Sequence, residues 1–188
     1  DSSTSRGLGD VYKRQDYYYV NKSSLPKVYG GFNTSLSWKG FDLSAIFAYS
    51  IGGYIYNRDI TMILHNGSLE GRAWSTEILR RWTPDNRYTD VPALSTTSNN
   101  WNSASTRFLQ NNSYMRLKNL TLSYNLPKPW VSKLALSSVQ VYVQGDNLFT
   151  IHKNQGLDPE QGITGITYYR YPAMRTISGG INLSLIHI

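Results

Sequence analysis

Two acidic stretches are the parts of this chain most suggestive of chemistry. LDPE (Leu157–Glu160) sets Asp158 and Glu160 two residues apart, the types that build a calcium loop or a general acid/base pair. Paired carboxylates act in catalysis only when they face each other at set distances, and Pro159 between them fixes the backbone, so the stretch reads as a turn. GDNLFT (Gly145–Thr150) puts Asp146 and Asn147 beside a glycine. Here too the structural reading is the stronger one. Gly145 permits a bulge, and Asn147 is expected to bond the local backbone near the outer end of a strand. His65 and His152 stand outside any metal-ligand spacing such as H-x-x-x-H, and both read as loop surface. The chain has no cysteine, which excludes a disulfide framework or a thiolate zinc site. Its many serines include no G-x-S-x-G elbow. No catalytic, metal or cofactor site is expected, and the protein is not read as an enzyme.

If the chemistry is not catalytic, the question becomes what the elements hold in place. Net charge is +7, from 19 basic and 12 acidic residues. The basic residues are scattered rather than clustered, which argues against nucleic acid as a partner. The 15 Tyr and 5 Trp are more telling, because amphipathic aromatics gather where a protein meets a membrane interface. No run of apolar residues is long enough for a transmembrane helix.

Period-two alternation is pervasive instead. In Val139–Gln144 (VQVYVQ) the valines share one face and Gln140, Tyr142 and Gln144 the other. Phe41, Leu43, Ala45, Phe47 and Tyr49 alternate with polar positions in Phe41–Tyr49; Phe32, Leu36 and Trp38 do so upstream, and Ile177 and Ile181 downstream. The alternating segments run about 10 residues, the span of a tilted membrane-crossing strand. Connections alternate short and long. Lys39-Gly40 is a tight turn and 127–136 is short, whereas 52–112 and 152–172 are long. That asymmetry is the layout of outer-membrane barrels, whose long loops are extracellular. The alternative is a soluble β-sandwich that binds carbohydrate through exposed aromatics.

The two ends do not fit this pattern. DVYKRQ (Asp10–Gln15) and LSLIHI (Leu183–Ile188) can both be encoded by one oligonucleotide read in its two senses, which points to a library tag. We therefore expect residues 1–15 and 183–188 to be non-native, and 16–182 to be a fragment of a longer frame.

Within that frame, Asn111–Glu160 (NNSYMRLKNLTLSYNLPKPWVSKLALSSVQVYVQGDNLFTIHKNQGLDPE) resembles the C-terminal region of the SusC/RagA family of TonB-linked outer-membrane proteins. Tyr29–Gly53, Arg80–Pro92 (RRWTPDNRYTDVP) and Tyr171–Leu183 (YPAMRTISGGINL) fit the same pattern in the same order. The resemblance implies an all-β fold, namely the last five or so strands of an antiparallel transmembrane β-barrel of about 22 strands with a plug in its lumen. It also implies a function and a set of partners: TonB-dependent import of glycans or peptides across the outer membrane, energised through TonB and its inner-membrane complex. A SusD-like surface lipoprotein would serve as lid, and outer-membrane lipid and lipopolysaccharide would surround the wall. Arg116, Leu117, Asn119, Gly145, Asn147, Asp158, Pro159 and Glu160 carry the family motif and are expected to be structural.

The long loops leave several further expectations. Trp74, Ile78 and Trp82 recur at four-residue spacing in WSTEILRRW, one stripe of a short helix that Pro84 ends. Trp101, Tyr168, Tyr169 and Arg170 are the candidate substrate contacts, because sugars stack on aromatic faces and peptides pair with cations. Lys128–Leu136 reads as a short interfacial turn with Trp130 at headgroup level. One conflict stands. Leu120, Leu122 and Tyr124 share a phase with Arg116 and Lys118, so either a bulge near Asn119 flips the register or the cations meet lipopolysaccharide.

Overall fold

In this computed structural model, residues 18–65, 69–94, 103–134, 136–154, 156–160 and 164–185 are described. Five long strands form one antiparallel sheet: β1 (Val28–Trp38), β2 (Phe41–Ile51), β5 (Tyr114–Asn125), β6 (Leu136–His152) and β8 (Thr176–Leu185), paired in that order. The Lys39-Gly40 turn has positive φ at both positions, 47° and 87°. That is the primed hairpin geometry whose twist matches the flanking strands. The second short connection carries α2 (Lys128–Val131), with Val131 buried and Trp130 exposed. Both short connections lie at the same end of the sheet, since Phe41 pairs with Tyr124 and Tyr124 with Val141. Both long connections leave the other end, where Ser50, Tyr114 and His152 align.

Directly opposed residues of an antiparallel pair share a face. Leu36, Leu43, Leu122 and Val143 form one such row; Trp38, Phe41, Tyr124, Val141 and Ile181 form another. Phe32, Phe47, Leu117 and Phe149 make a third, with the Phe32 and Phe47 rings stacked at 4.7 Å. The expected apolar positions thus lie on one continuous face. Most of it is open to solvent among the described residues: Leu36 is 66% exposed and Ile181 63%, although Ala45, Leu117 and Val139 on the same face are buried. A sandwich needs a second sheet over such a face, and none is there among the described residues. The opposite face is a polar ladder. Ser37 and Asn125 donate to Asp42 at 2.5 and 2.7 Å, Gln140 donates to Ser123 at 3.3 Å, and Asn182 donates to Gln140 at 3.1 Å.

The register conflict in β5 resolves as a bulge. Asn119 pairs with Asp146 but Leu117 pairs with Phe149, so Lys118 on one strand and residues 147–148 on the other drop out of the ladder. One omitted residue flips the face of everything beyond it. Leu117 therefore joins Leu120 and Leu122 on the apolar side, and Arg116 turns to the polar side. The lipopolysaccharide alternative for Arg116 and Lys118 is overturned.

β8 continues through Leu183, opposite Val139, to Leu185, opposite Leu136. Alternation alone extends a strand along a paired neighbour, whatever its origin. The stretch 1–15 lies outside the described residues.

The long connections build a small outer layer of their own. A three-stranded sheet orders β4 (Leu109–Asn111), β3 (Tyr54–Asn57) and β7 (Ile166–Thr167), with α1 (Arg58–Ile63) following β3. Leu64, Ile78, Val91 and Phe108 form its apolar core, with Tyr56 and Ile60 packed against them. The expected helix over Trp74–Trp82 is shorter and tighter than its spacing suggests. Only Thr76–Arg80 is helical, as a 3₁₀ turn capped by Ser75. A 3₁₀ helix has three residues per turn, so positions four apart do not stack. Ile78 is buried, while Trp74 and Trp82 stay half exposed. Among the described residues no helix is long and apolar enough to cross a membrane, which says nothing of a β-barrel.

Candidate functional site

Once the bulge has turned Arg116 onto the polar face, the residue is 3% exposed and its guanidinium cannot stay unpaired. LDPE supplies the partners. Arg116 Nη2 donates to Asp158, Nη1 to Glu160 at 2.7 Å, and Nε to Thr150 Oγ1 at 2.8 Å. Lys118 reaches the same Glu160 at 2.5 and 2.6 Å. Asp158 also accepts the backbone N–H of Glu160 at 2.9 Å and of Ala173 at 2.7 Å. Burial pushes the Asp158 carboxyl up, but those two N–H groups and the Arg116 guanidinium outweigh it and hold the group below the usual carboxylate range. Pro159 is buried, and its carbonyl accepts from Asn112 at 2.9 Å.

The LDPE stretch is a bent loop rather than a hydrogen-bonded turn, and its carboxylates are not incidental. Two cations from β5 and two carboxylates 42 to 44 residues later clamp the last long loop onto the outer end of the wall. With its charges balanced, the clamp can fix a loop but offers no net charge to a ligand. Nothing in the spacing signals this pairing, because the partners lie in different elements. The sign of the conflict in β5 was the available clue: two cations on a lipid-facing phase need counter-ions.

GDNLFT behaves in part as expected. A Cβ on Gly145 would lie 2.6 Å from the Leu148 side chain, so glycine leaves room for that leucine to fold back beside the bulge. Asn147 adopts φ 51°, but it bonds across the loop rather than locally: its amide donates to the Met174 carbonyl at 3.2 Å. Asn119 donates to Asp146 at 2.7 Å and holds the other side of the bulge.

The histidines divide. His152 is exposed at the end of β6, whereas His65 is fully buried, contrary to its reading as loop surface. Its Nδ1 accepts the Trp74 indole N–H at 3.1 Å, with the rings edge to face at 5.4 Å. That contact, not a helical stripe, explains Trp74. Among the described residues no group of acidic or histidine side chains could hold a metal ion.

Of the candidate substrate contacts, Trp101 lies outside the described residues. Tyr168, Tyr169 and Arg170 come directly after β7, and all three are exposed. The Tyr168 and Tyr169 rings sit 4.4 Å apart, Arg58 lies 4.7 Å over Tyr168, and Arg72 donates to the Tyr169 hydroxyl at 2.8 Å. The Tyr169 backbone, at φ 48°, donates to Asp59 at 2.8 Å. Left-handed backbone on a bulky residue costs of order 1–3 kcal/mol and persists only where its surroundings impose it. Arg170 borders both this cluster and a cleft of about 610 Å³ beside the clamp, lined also by His152, Asn147 and Arg175.

No protein-family model matches the chain. Individual proteins do. The TonB-dependent receptor P3 of Formosa agariphila is 37% identical over 165 residues, covering 81% of this chain and 16% of that protein. The TonB-dependent receptor SusC of Bacteroides thetaiotaomicron is 27% identical over 169 residues, covering 88% and 16%. Among solved structures, a chain of the RagAB peptide importer in its open-open state superposes with a TM-score of 0.77 at 35% identity, over 90% of this chain and 19% of that one. The closed-closed state gives 0.75. The chain spans less than a fifth of each of these relatives. The superposition of the antiparallel wall and the agreement in sequence along nearly its whole length together establish that the chain belongs to the SusC/RagA family of TonB-dependent receptors.

Proposed function

We propose that this chain forms five wall strands and the outer loops of an outer-membrane, TonB-dependent importer of glycans or peptides. The observation that carries the reading is the sheet itself: one apolar face left mostly open, one hydrogen-bonded polar face, short turns at one end and long loops at the other. Such a wall presents hydrocarbon with side chains it can solvate and lines a lumen with the rest. Its two edges, β1 and β8, would be open in lipid unless further strands of a longer chain complete the barrel. On this reading the same longer chain brings the plug, and TonB with its inner-membrane complex works on that plug, not on this segment. A SusD-like lipoprotein would sit as a lid over the outer layer built from β3, β4, β7 and α1.

The test is uptake by cells that carry the full-length protein. Removal of the protein, or of TonB alone, is expected to abolish accumulation of a labelled oligosaccharide or oligopeptide that the parent cells take up. Accumulation that persists without TonB would overturn the proposal.

A further inference from the structure

The parallel pair β3–β7 ends with Tyr56 beside Ile166 and Asn57 beside Thr167. The residues just past each strand are therefore delivered to one edge: Arg58 and Asp59 from β3, and Tyr168, Tyr169 and Arg170 from β7. β4 pairs Asn111 with Tyr54 and Leu109 with Tyr56, and it leads into β5, so this edge is the one farther from the wall. Arg72 joins it through the Tyr169 hydroxyl.

Two arginines thus touch the tyrosine pair, Arg58 over Tyr168 and Arg72 at the Tyr169 hydroxyl, and Arg170 lines the same edge with Asp59. That carboxylate is already engaged, since Asp59 accepts from the Tyr169 N–H at 2.8 Å and from the Thr167 hydroxyl at 3.5 Å. Arg58, Arg72 and Arg170 form none of the ion pairs found among the described residues. All three are exposed, and Tyr171 beside them is 97% exposed. Asp59, Tyr169, Arg170 and Tyr171 line a shallow cleft of about 330 Å³. Packing a loop does not call for gathering three like charges, which repel one another. The clamp at Arg116 shows how this chain treats cations that serve structure: it gives them carboxylates.

We propose that this edge is a subsite for an acidic saccharide, a pyranose ring bearing a carboxylate. The guanidinium fork matches a carboxylate with two parallel hydrogen bonds. The exposed tyrosine faces offer apolar surface to the C–H face of the sugar ring. A peptide presents such a carboxylate at its terminus or on scattered side chains, whereas a polyuronate presents one on every ring, next to the ring face that the tyrosines need. The subsite rests on the import reading, because it names a substrate class for those outer loops.

The experiment is titration calorimetry on the detergent-solubilised full-length receptor. The probes are tetragalacturonate, its methyl ester, and a peptide acid with its amide. The parent is expected to bind tetragalacturonate and to bind the ester at least about tenfold more weakly, the loss expected for hydrogen bonds to a charged group. R58Q and R170Q should each weaken the acid about tenfold and leave the ester unchanged. Arg170 makes no hydrogen bond or ion pair among the described residues, so R170Q should also unfold at the parent temperature. Equal binding of acid and ester, parent-like binding by both variants, or binding of the peptide acid without the uronate would each overturn the subsite. Calorimetry needs no TonB. Absent binding with TonB-dependent uptake intact therefore refutes the subsite alone, and binding without uptake refutes the importer alone.

Discussion

Replacing Arg116 with methionine in the full-length barrel would remove one side of a buried clamp and leave the other in place. The side chains of Arg116 and Asp158 are only 4% and 6% exposed, so solvent screens the pair little. Taking one partner from a buried ion pair costs about 3–5 kcal/mol, because the survivor is left charged and desolvated. The Glu160–Lys118 contact, with both side chains about a third exposed, should contribute only about 0.2–1 kcal/mol. Asp158 keeps its bonds from the Glu160 and Ala173 N–H groups in the variant and can also take up a proton, so the lower part of the range applies as pH falls. The sign comes from linkage. In the parent the folded Asp158 pKa lies below its unfolded value, so its contribution is present above about pH 4 and lost as pH falls through the folded value. In R116M the guanidinium is gone, so the folded pKa lies above the parent's, and the gap between variant and parent should narrow as pH falls through the interval between the two folded values, down to the parent's value below about pH 4. Urea unfolding in lipid vesicles across that pH range, with R116M, D158L and the double variant, reads both effects. Single losses that simply add in the double variant, to within about 0.5 kcal/mol, would refute the clamp. So would a gap that does not change with pH.

Three other outcomes are expected. Leu120 sits opposite Ala45 and Gly145, midway along the strands on the apolar face; Leu120→Arg should cost about 2–4 kcal/mol in lipid. Thr121→Arg on the polar face should be far milder, and Val141→Arg, near the short-turn end, intermediate; equal costs would refute the assigned faces. Phe108→Ala should destabilise the outer layer by about 3–5 kcal/mol, raising hydrogen exchange in β3 and β4 while β1 and β2 keep the parent rates. Resequencing the source locus by a different library chemistry should replace DVYKRQ and LSLIHI with other residues, and persistence of both would return them to the protein.

The wall was legible because alternation is a local signal. Phe41 to Tyr49 announces its face residue by residue, and Lys39-Gly40 announces its turn. The bulge was legible only as a contradiction, two cations in an apolar phase, since a ladder defect depends on both strands. Less could be read of the loops. Trp74, Ile78 and Trp82 form a helical stripe on paper, but the indole of Trp74 is satisfied by His65, nine residues back, and tertiary contact overrode the period. The Arg116–Asp158 pairing and the convergence of Arg58, Arg72 and Tyr169 join residues far apart in the chain, and no single window contains them. The family motif includes Arg116, Asp158 and Glu160, the residues that meet in the clamp.

The central claim, that this sheet is a membrane wall whose phase flips at Lys118, is tested most directly by spin labels along β5. This stretch contributes no cysteine of its own, and any elsewhere in the full-length protein are replaced first. Labels placed singly at Leu117, Leu120 and Leu122 of the full-length protein in lipid vesicles should be relaxed by oxygen dissolved in the bilayer. Labels at Arg116, Asn119 and Thr121 should respond to a water-soluble nickel chelate. An unbroken odd–even alternation through residue 118, or equal access of both reagents on both faces, would contradict the account.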